Sequence, residues 1–432
     1  MEKREIIAGR GFYYVPAPFV TLKVTVESEY HHDKMKKALL NLEEAYPIIN
    51  DVVRKDGDTM WFEDIGVHVR IVAYVGFETM KWEDAMKHII QNPIDLTKKP
   101  GVIIGIVAKE ERFHLLVVCH QMYADGISVK QLADDLLYMY HMQKKIESHD
   151  ILTLHEEMLP FDYQISEEFR KKLNKVNSLW EKNKVEYSWD TFTQVSDLHN
   201  EAIGYRVVCG KIKGSDYRKL RGKCKELGIT VQAAVITALA GTLQKLKSIH
   251  ARVALNARPL LALEEEKGMI NYASGIQFDI QFEPRIDFWY NAQIVNKQLK
   301  NAKNDREKQL EILHSLLLLD ADVFGAPYYA QYGMYQDKEV MTALKDILRT
   351  GTAEETFEFS DIGNVTFDAA SEEFMVRDCY FVPNLPLACD YTIGVVSLNN
   401  TLTLSLGYKS NMQNEDQMER IVANIKEKLL DF

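Results

Sequence analysis

The sequence contains few cysteines, and nothing in their arrangement suggests a structural role. Five cysteines occur among 432 residues, and no two have the Cys-x-x-Cys spacing of a zinc or redox site. An odd number of scattered cysteines is typical of a chain that stays in a reducing compartment. We therefore predict a cytoplasmic protein without a structural zinc or any other metal site.

Signatures of several common functional classes are also missing. No apolar run is long enough to span a membrane, and no signal-peptide core follows the first residues, Met-Glu-Lys-Arg-Glu. The chain has no phosphate-binding loop, no Gly-x-Gly-x-x-Gly and no Gly-x-Ser-x-Gly. The formal net charge of −11 disfavours nucleic-acid binding, which needs a basic surface. We therefore predict that the protein has no membrane span and no nucleic-acid partner.

The composition that remains is ordinary for a globular protein, with 46% hydrophobic and 27% charged residues. A chain of 432 residues exceeds one typical core, which favours two lobes. Strand and helix patterns alternate through both halves and predict an α/β (α+β) fold. A charged amphipathic helix is predicted over 167–183, and periodicity is lost over 186–201. We therefore predict an N-terminal lobe over 1–185 and a C-terminal lobe over 186–432.

The most informative segment is residues 119–126, which read Cys-His-Gln-Met-Tyr-Ala-Asp-Gly. An apolar run from Phe113 to Cys119 precedes it, and apolar residues at helical steps of three and four follow it as far as Tyr140. The pattern predicts a strand, a polar turn and a helix. Polar groups at the mouth of a buried strand lie where a rigid scaffold can hold a reacting atom.

This segment resembles the active-site motif of the chloramphenicol-acetyltransferase-like superfamily, which includes condensation domains and alcohol acetyltransferases. The family motif is His-His-x-x-x-Asp-Gly or His-x-x-x-Asp-Gly, with the catalytic histidine four residues before the aspartate. Counting back from Asp125 places Gln121 at the catalytic position. His120 matches the first, non-catalytic histidine, and it would be catalytic only if the strand end were twisted by one residue. The glycine, here Gly126, lets the backbone pass close to substrate.

A second segment strengthens the resemblance. Residues 253–260 and 268–272 are similar to a family block in which a strand ends in Asn-x-Arg and a Gly…Asn segment follows. The resemblance implies that Arg258 pairs with the motif aspartate, Asp125, and that Asn256 lies in the substrate channel. Taken alone, Arg258 is equally well interpreted as a solvated arginine before a proline turn.

A third segment, residues 359–365, looks like the Ser-Asn-x-Gly segment of alcohol-acetyltransferase-like members, with aspartate at the asparagine position. The resemblance implies that Ser360, Gly363 and Asn364 line the channel near the acceptor. An ordinary turn between two strands is the alternative. Together the three segments imply two chloramphenicol-acetyltransferase-like lobes of similar fold, with a channel between them.

The resemblance also implies a reaction. An acyl group would pass directly from acyl-CoA, or from acyl-pantetheine on a carrier protein, to a small alcohol or amine, with no bound cofactor. Neutral imidazole can take the acceptor's proton near neutral pH, whereas glutamine can only orient the acceptor by hydrogen bonding. Two hypotheses therefore stay open. The chain is an acyltransferase weakened by Gln121, or it is a catalytically inactive relative that serves as a binding or partner protein.

Overall fold

A computed structural model describes residues 4–76, 79–149, 154–243, 249–263, 268–348 and 355–432. Within these ranges the chain forms fourteen strands: β1 (Arg4–Ile6), β2 (Phe19–Glu27), β3 (Val52–Asp56), β4 (Thr59–Glu63), β5 (Arg70–Val75), β6 (Val102–Lys109), β7 (Arg112–His120), β8 (Tyr205–Lys213), β9 (Ile249–Asn256), β10 (Ala273–Asp279), β11 (Glu355–Asn364), β12 (Met375–Val382), β13 (Tyr391–Leu398) and β14 (Thr401–Lys409). The same ranges contain twelve α-helices: α1 (His32–Ala45), α2 (Trp82–Ile90), α3 (Gly126–Met142), α4 (Glu167–Asn183), α5 (Trp189–Ile203), α6 (Gly214–Glu226), α7 (Val231–Thr242), α8 (Phe288–Asn304), α9 (Arg306–Leu318), α10 (Ala326–Gln331), α11 (Lys338–Leu348) and α12 (Glu415–Leu430).

Two mixed sheets form the centres of two lobes. The first sheet has the strand order β12-β2-β7-β6-β5, and the second has the order β10-β9-β11-β13-β14-β8. Helices α1 and α3 pack against one face of the first sheet, and α2 packs against the other. Helices α6, α7, α8 and α12 cover one face of the second sheet. This arrangement confirms the predicted two-lobed α/β (α+β) fold.

The predicted boundary at 185/186 does not coincide with the division between the sheets. Strand β12, from the second half of the chain, pairs antiparallel with β2 and so belongs to the first sheet. It also packs against β13 of the second sheet, where a Cβ on Gly394 would lie 1.9 Å from the carbonyl oxygen of Phe381. Only a residue without a side chain permits so close an approach of two backbones.

The segment 186–201, for which the sequence pattern predicted a loss of periodicity, contains most of helix α5. A capping box starts this helix: Ser188 Oγ accepts from Thr191 N at 3.1 Å, and Thr191 Oγ1 accepts from Ser188 N at 2.9 Å. The helix predicted over 167–183 is present as α4. No single helix of the described residues is long and apolar enough to cross a membrane. Helices α6 and α7 reach the necessary length and apolar composition only when taken together, and they are bent relative to each other.

A buried ion pair connects the two sheets beside β12. Lys23 Nζ, on β2, donates to Asp378 Oδ1 at 2.7 Å, and Lys211 Nζ, on β8 of the second sheet, donates to Asp378 Oδ2 at 3.2 Å. Thr25 Oγ1 also donates to Asp378 Oδ1, at 2.6 Å. Burial opposes ionisation of Asp378, but the Lys23 charge and the hydrogen bonds from Lys23 and Thr25 outweigh it. Its pKa is therefore held below the usual range.

We expect this contact to make the protein sensitive to acid. Because the pKa of Asp378 is lower in the folded state than in the unfolded chain, its stabilising contribution is present above about pH 4 and is lost as the pH falls towards the folded-state pKa. Asp378→Asn should therefore reduce the pH dependence of the unfolding free energy below that pH, measured by urea denaturation from neutral pH into acid. Identical pH profiles for wild type and Asp378→Asn would mean that the Asp378 carboxylate does not cause the acid sensitivity.

Candidate functional site

The motif segment forms the predicted strand, turn and helix in the first lobe. Strand β7 is central in its sheet and ends at His120, and helix α3 begins at Gly126. Asp125 is the N-cap residue of α3, and its Oδ1 accepts from Ser128 N at 2.9 Å. Aspartate at this position satisfies a backbone N–H group that would otherwise lack a partner in the first helical turn. The turn is thereby held between two rigid elements.

Asp125 and Arg258 form a bidentate ion pair, as the resemblance implies. Arg258 Nη1 donates to Asp125 Oδ2 at 2.7 Å, and Nη2 donates to Oδ1 at 3.2 Å. The two side chains are only 6% and 4% exposed, respectively. Tyr272 N also donates to Asp125 Oδ2, at 2.9 Å. The pair therefore joins the motif turn to the segment between β9 and β10.

Ser128 completes this connection, and the sequence analysis missed it. Its hydroxyl accepts from Arg258 Nη2 at 2.8 Å and lies 2.8 Å from the carbonyl oxygen of Ile270, to which it donates. The serine is buried in the first turn of α3. A polar residue three positions after an N-cap aspartate, at the start of an otherwise apolar helix face, is the signal that could have identified it.

A cavity of about 520 Å³ lies between the two lobes. Its wall on the first lobe includes Gln121 and Gly126, and its floor on the second sheet includes Ser360 and the small residues Ala254 and Gly275. Most of the remaining lining is apolar. Four residues that the sequence singled out are therefore brought to one cavity: Gln121, Asp125, Gly126 and Ser360.

Gln121, which lines this cavity, carries a side-chain acceptor that no described residue uses. Its backbone is held on both sides, because Gln121 N donates to Pro18 O at 2.8 Å and Asn271 Nδ2 donates to Gln121 O at 3.1 Å. Its side-chain Oε1 is buried and has no hydrogen-bond partner among the described residues. A buried polar atom left unpaired costs about 1–3 kcal/mol, so a ligand O–H or N–H group would bind there favourably.

His120, the second catalytic candidate, does not reach the cavity. His120, the last residue of β7, is 3% exposed and is not among the residues that line the cavity, whereas Gln121, in the turn that follows, lines it. Its ring packs edge-to-face on Phe19, and its Nδ1 accepts from Met122 N at 3.3 Å. Burial lowers the pKa of His120 to about 3. The structure therefore buries His120 outside the cavity lining, which does not fit a catalytic role for this residue.

Three residues predicted to line the channel lie outside the lining of this cavity. Asn256 is exposed, and its Oδ1 accepts from Arg258 N at 3.1 Å and from Arg258 Nη1 at 3.2 Å. Gly363 and Asn364 are also exposed, because a bulge displaces the end of β11 between Asp361 and Asn364. Asp361 Oδ1 accepts from Gly363 N at 2.8 Å within this bulge, so the segment is part of strand β11 and not the turn between two strands that was the alternative.

Three charged residues of the cavity, Arg252, Lys345 and Glu358, were not identified from the sequence. Arg252 on β9 and Glu358 on β11 line it from adjacent strands. Their alternation with core residues along each strand is the signal that could have found them. Among the described residues, no group of three or more His, Cys, Asp or Glu side chains could hold a metal ion.

Comparison with known proteins places this geometry in a family. Residues 17–327 match the family model described as Condensation domain. The epimerization domain from the third module of tyrocidine synthetase B has a TM-score of 0.63 at 14% identity, with 100% of this chain and 96% of that chain covered. No curated protein sequence matches significantly.

Two further solved structures share the fold. TRI3 trichothecene 15-O-acetyltransferase from Fusarium sporotrichioides has a TM-score of 0.64 at 12% identity, covering 99% of this chain and 94% of that chain. The first condensation domain of the calcium-dependent antibiotic synthetase, in complex with a substrate analogue, has a TM-score of 0.64 at 11% identity, covering 100% and 97%. The family match spans well over half of the sequence, and the chain therefore belongs to the condensation-domain family.

Proposed function

We propose that this protein transfers an acyl group from a thioester, carried by CoA or by a carrier protein, to a small alcohol or amine acceptor. The observation that carries the proposal is the unpaired Oε1 of Gln121 at the wall of the cavity between the lobes. The acceptor's O–H or N–H group donates to this atom. Membership of the condensation-domain family supports acyl transfer as the type of reaction.

The hydrogen bond to Gln121 would orient the acceptor's lone pair towards the thioester carbonyl. A new C–O or C–N bond then forms, the C–S bond breaks, and the proton leaves the acceptor for solvent or for the departing thiolate. Glutamine does not accept this proton at neutral pH. Orientation of two bound reactants can lower a barrier by about 7–11 kcal/mol, whereas a general base adds about 10²–10⁴-fold. Orientation is the larger of these two contributions, and a protein with glutamine at this position can still provide it.

A second candidate function is binding without turnover. The observation that favours it is the state of the polar groups around the motif: Asp125 is fully engaged by Arg258, and Gln121 is not a base. Such a protein would use the cavity to hold a thioester, an acceptor or a partner protein. The two functions differ in one measurable respect, which is product formation above the uncatalysed rate.

The test is thioester turnover with a panel of acyl-CoAs and acyl-carrier proteins, offered together with small alcohols and amines. We expect at least one combination to react faster with the protein than without it. No transfer with any combination, accompanied by detectable binding of a thioester, would reject the transferase and establish the binding function.

Filling the cavity floor should strongly reduce any acyl transfer that the wild type catalyses. Ala254 faces the cavity beside Gly275, so Ala254→Phe places an aromatic ring where the reactants would lie. We expect kcat/KM to fall at least about tenfold, because a small misplacement of bound reactants is already costly. Ala73→Phe, at an exposed position of strand β5, is the matched control and should retain activity. Equal activity of the two variants, with similar melting temperatures, would place the reaction elsewhere.

A further inference from the structure

The cavity floor is built from two rows of side chains that run across neighbouring strands. The register pairs Gly275 with Ala254, and Ser360 follows on β11; we call these three residues the small row. Two positions further along, Gln277 pairs with Arg252 and Arg252 pairs with Glu358; we call these three the polar row. Two residues of a strand span about 7 Å. Both rows line the cavity, so polar groups lie about 7 Å from the small row.

Arg252 has hydrogen-bonding capacity that the protein does not use. Its Nε lies 3.8 Å from Glu358 Oε2, which is beyond hydrogen-bond distance, and this buried Nε has no partner among the described residues. Its side chain is 24% exposed and that of Glu358 is 18% exposed. Gln277 is engaged, because its Nε2 donates to Leu348 O at 3.2 Å. The guanidinium is therefore the group in the polar row that is available to a ligand.

Apart from Asp125, the charged side chains that line the cavity are two cations and one carboxylate, which favours an anion. Lys345, on α11, lines the same cavity as Arg252, while Glu358 is the opposing carboxylate. The other acidic group in the lining, Asp125, is neutralised by Arg258. Burial raises the pKa of Glu358, with the Arg252 charge opposing the shift. A cavity with an excess of cationic side chains, in a chain with a net charge of −11, is suited to a carboxylate ligand.

We infer that the polar row selects substrates of the proposed acyltransferase that carry a carboxylate, which Arg252 binds while the reacting group lies over the small row near Gln121. The inference rests on the proposed function for the position of the reacting group. The selected substrate has an apolar body, as the lining requires, and a charged end. Planar guanidinium matches a carboxylate with two parallel hydrogen bonds, which lysine does not provide.

The carboxylate belongs either to the acyl chain or to the acceptor, and two probe pairs distinguish these sources. Glutaryl-CoA and pentanoyl-CoA differ by a terminal carboxylate on the donor. Hydroxyhexanoate and its methyl ester differ in the same way on the acceptor. Dissociation constants measured by calorimetry should show the charged member of one pair binding wild type at least about tenfold more tightly than its neutral counterpart.

Arg252→Gln should remove this preference and leave binding of the neutral probe unchanged. The matched control is Arg206→Gln, on β8 of the same sheet, where Arg206 Nη1 lies 3.9 Å from Glu415 Oε2 outside the cavity. This control should keep the full preference. Glu358→Gln provides a second variant, and it should keep or strengthen carboxylate binding because it removes a competing anion.

The inference is overturned if neither charged probe is preferred by wild type, if Arg252→Gln keeps the preference, or if Glu358→Gln loses it. Turnover, measured on the same samples, separates this result from the proposed function. Acyl transfer without a preference for carboxylates rejects the inferred substrate class but leaves the proposed acyltransferase function standing. A preference that depends on Arg252, in a protein without transfer, supports the carboxylate site and rejects the transferase.

Discussion

Asp125→Ala is expected to destabilise the protein by about 3–5 kcal/mol, because it leaves the Arg258 guanidinium buried without its counter-ion. The substitution also removes the N-cap of α3 and the acceptor for Tyr272 N. Urea denaturation monitored by tryptophan fluorescence should show a markedly lower midpoint. The double variant Asp125→Ala/Arg258→Met should recover part of the loss, because no unpaired charge then remains buried.

The chain offers a matched control for this prediction. Asp162 and Arg306 also form a bidentate pair, with Arg306 Nη1 3.1 Å from Asp162 Oδ2 and Nη2 3.2 Å from Oδ1. Both of its side chains are about half exposed, so water and salt replace the interaction when it is removed. Asp162→Ala should leave the midpoint almost unchanged. A similar loss in the two variants would mean that burial of the Asp125–Arg258 pair does not determine its contribution.

Gln121→His is expected to raise kcat/KM for acyl transfer by about 10²–10⁴-fold, which is the range that a positioned general base supplies. The imidazole would stand at the cavity wall where Gln121 now presents its unpaired oxygen, and it could take the acceptor's proton. Gln121→Ala should lower kcat/KM, because the acceptor then loses its hydrogen-bond partner. Rates with the best thioester and acceptor found for wild type test both variants.

The outcome separates three roles for this residue. If glutamine itself is the working, orienting group, the alanine variant loses activity and the histidine variant gains none. If the protein is a binder, neither variant forms product above the uncatalysed rate, although wild type still binds a thioester. Gln194→His, an exposed position on α5, is the control for the substitution itself and should behave as wild type.

Several elements could be predicted well from the sequence. The amphipathic helix predicted over 167–183 is α4, with the same bounds. The motif strand and the helix after it are also confirmed, as β7 and α3. These elements are long and strongly patterned, and their periodicity is a local property of the chain.

The candidate site was only partly predictable. The contiguous motif located Gln121, Asp125 and Gly126, because their spacing is typical of a strand, a turn and a helix N-cap that follow one another. The position of Arg258 followed from the resemblance, and the ion pair is present. His120 and Asn256 were also assigned from the resemblance. His120 is instead buried against Phe19, and Asn256, at the end of β9, uses its side chain to accept from Arg258. A motif match gives a position in the chain, but it does not give the partner that a side chain takes in the folded protein.

The sequence by itself determined the fold class, the family resemblance and the position of Gln121, because each depends on residues close together in the chain or on motifs in a set order. Only the tertiary structure decided that β12 joins the first sheet, that the end of β11 turns away from the cavity, and that Arg252 and Glu358 form a polar row on its floor. These features depend on which strands pair and in what register. A shift of one residue in register exchanges the two faces of a strand, and that choice is made by packing between distant parts of the chain.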